Sequence, residues 1–365
     1  MASAEPQTRN NATLNTQPCT RSLIPHRTAH SAVVAEEDGV AEIPPDVQPN
    51  AEGAAKLEGF RLYAVAIGVF FGSLMMSMDI SIIGTAIPSI LSEFGDISQL
   101  AWYSAAYTFA GCALTPLAGK MAAVLPLDRV YLSFSGIFLV GSIVCSWAPS
   151  SNAFIAGRAV AGVGAAGVAS SGMTILVTIS SFKTKTLLVG IAVACFGIGL
   201  VLGPVLGGVF TERLTWRWCF WINLPFVAVT LAVIFLFFKP PRKPQRSIVT
   251  TILSLDLLGC VIFVGAVFML LLAMQQGGQN NPWNSATIIG LFVGAGVTMI
   301  LFVVWEWHKG DDAMIPGRVT TRRTVMFTCL FVFFHMGSLT ISTYYLPEWF
   351  QVVEGVDPLQ SGVLA

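Results

Sequence analysis

The feature that most constrains this chain is a series of apolar runs that begins at Leu62 and recurs with only short polar breaks. Each is about the 20 residues needed to cross ~30 Å of hydrocarbon as a helix. They lie at 62–88, 101–118, 130–148, 154–179, 187–210, 218–238, 257–274, 286–307 and 325–346. A segment in lipid must satisfy its own backbone polar groups, which a helix does internally. Composition closes off the soluble alternative. Only 11% of the 365 residues are charged, against roughly a quarter in soluble domains, and mean hydropathy is +0.71. So little charge cannot coat a globule of this size in water. The chain is therefore predicted to be an all-α membrane protein with at least nine spans, whose first partner is the lipid bilayer and which binds no nucleic acid. Its seven cysteines are scattered singly, with no CxxC pair. Inside apolar runs free Cys acts as a small hydrophobe, so no disulfide framework, metal site or cofactor is expected.

Residues 1–59 are a different material, rich in Ser, Thr, Pro, Asn and Ala and without apolar periodicity. Such a composition cannot bury enough surface to fold, so a disordered tail is expected. No cleavable signal peptide follows Met1. The breaks between spans set the orientation. Placing the N-terminus in the cytoplasm puts Lys120, Arg129, Lys183, Lys185, Lys239, Arg242, Lys243, Arg246, Lys309, Arg318, Arg322 and Arg323 on the inner side, and only Arg213 and Arg217 outside. That asymmetry follows the positive-inside rule. On this topology Asn11-Ala12-Thr13 is a sequon the glycosylation machinery never meets.

Charge inside hydrocarbon is costly and so marks candidate function. Asp79 stands in the first run and Arg158 in the fourth. At 1.5 Å per residue along helices running in opposite directions, both fall in the outer third. Two readings are open: opposite charges that pair and compete with a proton for the carboxylate, or an interfacial Asp and a snorkelling Arg solvated separately. Asp256 and Glu306 sit at span ends and read as solvated boundary charges. His335 reads as a packing residue. Trp102, Tyr103 and Tyr107 could stack a substrate ring or lie at the interface. In the fifth run Gly199, Gly203 and Gly207 recur every four residues, giving one face on which a neighbouring backbone can approach closely. Pro204 beside them removes a backbone donor. Gly157, Ala161, Ala165 and Ala169 make a similar face in the fourth run.

At these residues the chain resembles the major facilitator superfamily, in particular its fourteen-helix drug:proton antiporter branch. The fifth run fits the antiporter motif G-x8-G-x3-G-P-x2-G-G at Gly190, Gly199, Gly203, Pro204, Gly207 and Gly208. Met78-Asp79 through Ala86-Ile87-Pro88 is similar to the branch's first-helix motif. Arg158, Gly162, Gly164, Ala165 and Ala166 fit its fourth-helix motif, whose arginine is implicated in proton coupling. Trp216-Arg217-Trp218-Cys219-Phe220-Trp221-Ile222-Asn223-Leu224-Pro225 is close to a signature between helices five and six. Tyr344-Tyr345-Leu346-Pro347 to Gly355, then Ser361-Gly362-Val363, looks like the ninth helix and its following loop.

The resemblance implies a six-helix N-terminal lobe over 60–238, a basic cytoplasmic loop at 239–256, an inserted helix pair at 257–307, and over 308–365 a loop with the first helix of a C-terminal lobe. It implies proton-coupled export of small organic molecules such as drugs or secondary metabolites by a monomer in the plasma membrane, with protons and the solute as partners. Asp79 and Arg158 would carry the proton coupling, and the glycine face with Pro204 would seal against the opposite lobe. The loop between helices two and three departs from the family pattern: its acidic position is Ala123 and its second glycine is Pro126, leaving Lys120 and Arg129 as the cytoplasmic gating residues. The glutamine usual in the fourth-helix motif is Ala161. Since alternating access needs two lobes, the chain as written, ending at Ala365 where a tenth helix would begin, is expected not to transport alone. Rival functions are a facilitator or importer of sugars or other nutrients on the same fold, a non-transporting sensor, and a membrane-embedded enzyme. The last needs clustered His, Asp or Ser, and only four His exist, two of them in the tail.

Overall fold

The computed structural model describes residues 59–96, 99–240, 255–278, 281–310 and 313–353, without the side chains of 339–340, 342–348 and 350–352. The expected tail and its sequon, most of the basic loop at 239–256, and Gly355 with Ser361-Gly362-Val363 lie outside the described residues. The helices are α1 (Phe60–Phe94), α2 (Leu100–Val124), α3 (Leu127–Ser146), α4 (Ser151–Ile179), α5 (Phe182–Arg213), α6 (Trp218–Trp221), α7 (Asn223–Phe237), α8 (Leu257–Gln276), α9 (Ala286–Lys309), α10 (Gly317–Thr320) and α11 (Arg323–Val353). A helix thus occupies each of the nine predicted spans, the sixth being shared by α6 and α7. Seven of these spans are long and apolar enough to cross a membrane among the described residues. The span in α2 is not among the seven, because Tyr103, Ser104, Tyr107, Thr108, Thr115 and Lys120 dilute its apolar character.

Helix starts follow side-chain chemistry. The Ser150 and Ser285 hydroxyls accept from the amides of Ala153 and Ile288, and Ser181 with Thr184 forms a capping box, each satisfying donors that a first turn leaves free. Pro126 immediately precedes α3, where its fixed φ suits helix entry. The helices run on through Pro88, Pro116 and Pro204.

Packing gathers α1 to α7 around two buried clusters. One is centred on Val69, Tyr131, Phe134, Phe138 and Leu176, the other on Ile82, Tyr103, Phe154, Trp216 and Phe220. α1 lies along α5, α4 packs against both α2 and α3, and α8 pairs with α9 and rests on α2. Apolar side chains on the outer faces, such as Val201 and Val205 of α5 and Val261 of α8, are exposed. This is the surface a bilayer covers.

Candidate functional site

Asp79 lies near the middle of the 35-residue α1. Arg158 lies two turns into α4. The structure brings them together. Arg158 Nη1 donates to Asp79 Oδ2 at 2.8 Å, with the two side chains 1% and 0% exposed. The other carboxylate oxygen, Oδ1, accepts from Asn223 Nδ2 at 2.7 Å. Asn223 Nδ2 also reaches Ser142 Oγ at 3.3 Å. Arg158 Nε donates to the Tyr103 carbonyl at 3.2 Å, and its guanidinium lies 4.3 Å from the Tyr107 ring centroid and 5.8 Å from that of Phe220. Tyr103 Oη is bonded to Ser151 Oγ at 2.9 Å. The aromatic pair Tyr103 and Tyr107 therefore belongs to the buried charge site, while Trp102 is half-buried with its ring against Phe109.

Five spans converge here because their backbones approach closely. At Gly162 a Cβ would overlap the Tyr107 carbonyl, so α4 and α2 meet at that level only through a residue without a side chain. Both Asp79 oxygens are engaged as acceptors, which suits the ionised form. Protonating Asp79 would weaken the bond to Arg158 and leave a buried cation without its counter-charge.

The glycines of the fifth-run motif divide into two groups. A Cβ at Gly199 would overlap Ser77 Oγ, one at Gly203 Ser81 Oγ, and one at Gly207 Thr85 Oγ1, all on α1; Gly190 and Gly208 have nothing within 4 Å. Ser81 Oγ crosses to the Gly199 carbonyl at 3.3 Å. The glycine face is thus where α5 and α1 meet closely in this structure. Pro204, next to this face, is exposed.

Other readings also need correction. Asp256 and Glu306 are not solvated boundary charges: they are 3% and 9% exposed. Asp256 Oδ1 accepts from Trp305 Nε1 at 2.9 Å, and Glu306 accepts from the amides of Met314 at 3.2 Å and Ile315 at 2.8 Å. Lys120 Nζ donates to the Ala313 carbonyl at 2.6 Å in the same segment, whereas Arg129 is exposed on the first turn of α3. His335 stacks on Phe331. Glu93 and Arg217 form a bidentate pair at 2.7 and 2.8 Å, with Trp216 Nε1 also on Glu93 at 2.7 Å. Asn223 and Ser142 are the members of the central site that the sequence did not single out. Asn223 was visible only as part of the signature around Trp216. Among the described residues no group of three or more His, Cys, Asp or Glu is placed to hold a metal ion.

A sequence profile described as the Major Facilitator Superfamily matches residues 69–365. The chain belongs to that superfamily. As a Major Facilitator Superfamily member with this all-α architecture, it is an integral, multi-pass membrane protein. It is 44% identical over 337 residues to the MFS-type transporter poxA of Penicillium oxalicum, covering 90% of this chain and 59% of that one. It is 44% identical over 319 residues to the efflux pump mlcE of Penicillium citrinum, covering 84% of this chain and 58% of that one. The chain thus spans about three-fifths of the length of these relatives. Among solved structures, the human organic anion transporter MFSD10 (TETRAN) is similar over 64% of this chain and 60% of that chain, at 19% identity and a TM-score of 0.46.

Proposed function

We propose that this superfamily member is the N-terminal portion of a proton-coupled antiporter that exports small, largely apolar or amphipathic organic molecules, of the secondary-metabolite or drug kind. The observation that carries this reading is the fully buried Asp79–Arg158 ion pair held by Asn223. A buried carboxylate facing a guanidinium can exchange a proton when the helices around it shift. Direction of transport is supported by the relatives named efflux pumps, mlcE and mokI of Monascus pilosus. Asp79 takes and releases the proton, and Arg158 sets how readily it does so. The protein works as a monomer in the plasma membrane with its N-terminus in the cytoplasm, as the distribution of basic residues between spans favours.

The test is efflux of a fluorescent amphiphile from cells expressing the complete gene product, with and without a proton gradient. Efflux is expected to require the gradient and to be lost in Asp79→Asn. Gradient-driven efflux that survives the substitution would remove Asp79 from the mechanism. Concentrative uptake of a sugar by the same cells would replace export with nutrient import.

A further inference from the structure

One stripe of α3 carries polar side chains from its first turn to the central site: Asp128, Tyr131, Ser135 and Ser142. Steps of three, four and seven residues keep all four on the same side of a helix. Ser142 ends the stripe on Asn223, which holds Asp79. Along the stripe, Asp128 Oδ1, Tyr131 Oη and Ser135 Oγ are buried with no hydrogen-bond partner among the described residues, as is Asn223 Oδ1. Buried polar groups in folded proteins are paired with protein or with ordered water. Tyr131 and Ser135, 0% and 3% exposed, also line a cavity together with Thr230, Phe138, Met75 and Met76. It has about 20 Å³ of room for water centres, and one water needs about 10–15 Å³ of such space and two to four polar partners. Gly72 keeps the space open, since a Cβ there would stand 2.5 Å from Tyr131 Oη. The Thr230 hydroxyl donates to the Phe226 carbonyl and so retains lone pairs for a third bond.

We propose that this cavity binds one or two ordered waters between Tyr131, Ser135 and Thr230, and that the hydrated stripe of α3 is the route by which Asp79 exchanges protons with the Asp128 end, the cytoplasmic side on the basic-residue topology, where antiport releases them. The route rests on the proton-coupling reading of Asp79; the water site does not. Each hydroxyl accepts one proton as it passes one on, so Tyr131 and Ser135 stay neutral while the proton of the Asp79 carboxyl is released at the Asp128 end. Between Ser135 and Ser142 lie about 10 Å of α3 at 1.5 Å per residue, with Phe138 on the same stripe. Movement of Phe138 and of the unbranched Met75 and Met76, which line the cavity, opens this gap to water, and transfer through the hydroxyls limits the rate. The charged group that faces Asp79 is Arg158 of α4; the titratable Tyr107 of α2, Cys145 of α3 and Cys219 of α6 also lie around the pair, and none of the four lines the cavity.

Two measurements on the chain in lipid nanodiscs decide this. In X-ray radiolytic footprinting, radicals form where water is held. Tyr131 is expected to be oxidised several times faster than Tyr103, an equally buried tyrosine whose hydroxyl is bonded to Ser151. Equal rates mean a dry cavity and overturn the proposal. In time-resolved infrared spectroscopy after a pH jump, the Asp79 carboxyl band is assigned by its disappearance in Asp79→Asn. The Tyr131→Phe/Ser135→Ala variant is expected to slow protonation at least about tenfold, the low end of what a positioned proton-transfer group contributes, with the end-point unchanged. An unchanged rate overturns the route. Tyr131→Phe alone removes a single oxygen atom and gives the same comparison if the double variant folds poorly. An Asp79 band that never titrates would end the proton-coupling reading together with the route, and footprinting would still decide the water site.

Discussion

At the scale of the residue, Asp79 and Arg158 tolerate burial because each is the other's counter-charge and Asn223 completes the carboxylate's bonding. Removing one partner of a buried pair costs more than the pair is worth, because the survivor stays charged in an apolar setting. Asp79→Asn is therefore expected to destabilise the bundle by about 3–5 kcal/mol, measured by denaturant unfolding in micelles. Asp79→Asn with Arg158→Met should recover much of that loss. A double variant as unstable as the sum of the single ones would mean the two residues are not energetically coupled. Asn223→Ala removes one bond to an ion and should cost about 1.5–3 kcal/mol. The charged pair was legible in the sequence because an Asp or Arg within an apolar run has no cheap alternative to a partner or a cavity. Asn223 was not, since an uncharged amide in a helix can bond locally and gives no such signal. The Glu93–Arg217 pair was not legible either, because no spacing rule links residues 124 apart in sequence; only folding brings the end of α1 to the turn before α6.

At the scale of the element, the four-residue spacing of Gly199, Gly203 and Gly207 predicts a face for close helix approach, and the structure shows which helix fills it. α1 answers with its own four-residue series, Ser77, Ser81 and Thr85, whose hydroxyls bond back to α1 carbonyls within three or four residues. This matching period was present in the sequence, yet a period alone names no partner, and an opposite lobe was equally compatible with it. The division within the motif gives a direct comparison. Gly203→Ala would place a methyl group against Ser81 Oγ, and within 2.9 Å of Ile82 N and Met78 O. Overpacking of this kind costs about 1–3 kcal/mol. Gly190→Ala and Gly208→Ala meet open space and should be neutral or stabilising by up to about 1 kcal/mol, the helix-propensity gain of Ala over Gly. Thermal unfolding followed by size-exclusion chromatography of solubilised protein ranks the three. Equal losses at all three positions would show that the α1–α5 seam does not govern stability.

At the scale of the whole molecule, nine apolar runs placed nine helical stretches, seven of them long and apolar enough to cross a membrane among the described residues, because the bilayer imposes a length that composition reports directly. How the inserted pair attaches to the rest was not legible, since it depends on groups that look like ordinary boundary charges. Glu306 of α9 holds the amides of Met314 and Ile315, and Lys120 at the end of α2 holds the carbonyl of Ala313. Three consecutive residues are thus clamped between the pair α8–α9 and the α1–α7 bundle. Around the clamp, Met314 and Ile315 pack with Leu114, Leu117, Cys260 and Phe302. The segment just before α10 and α11 is therefore held at the very place where α2 ends, and a movement of α2 is transmitted to it through these bonds. Glu306→Ala deletes both acceptors at once. The Met314 and Ile315 amides should then exchange with deuterium about ten- to a hundredfold faster, the equivalent of one to two lost bonds, while peptides from α3 and α4 keep their protection. Lys120→Ala should raise exchange in the same segment by a smaller factor, because the two amides retain Glu306. If neither variant alters exchange at 314–315, apolar packing alone holds the segment, and the pair rides on α2 without a polar clamp.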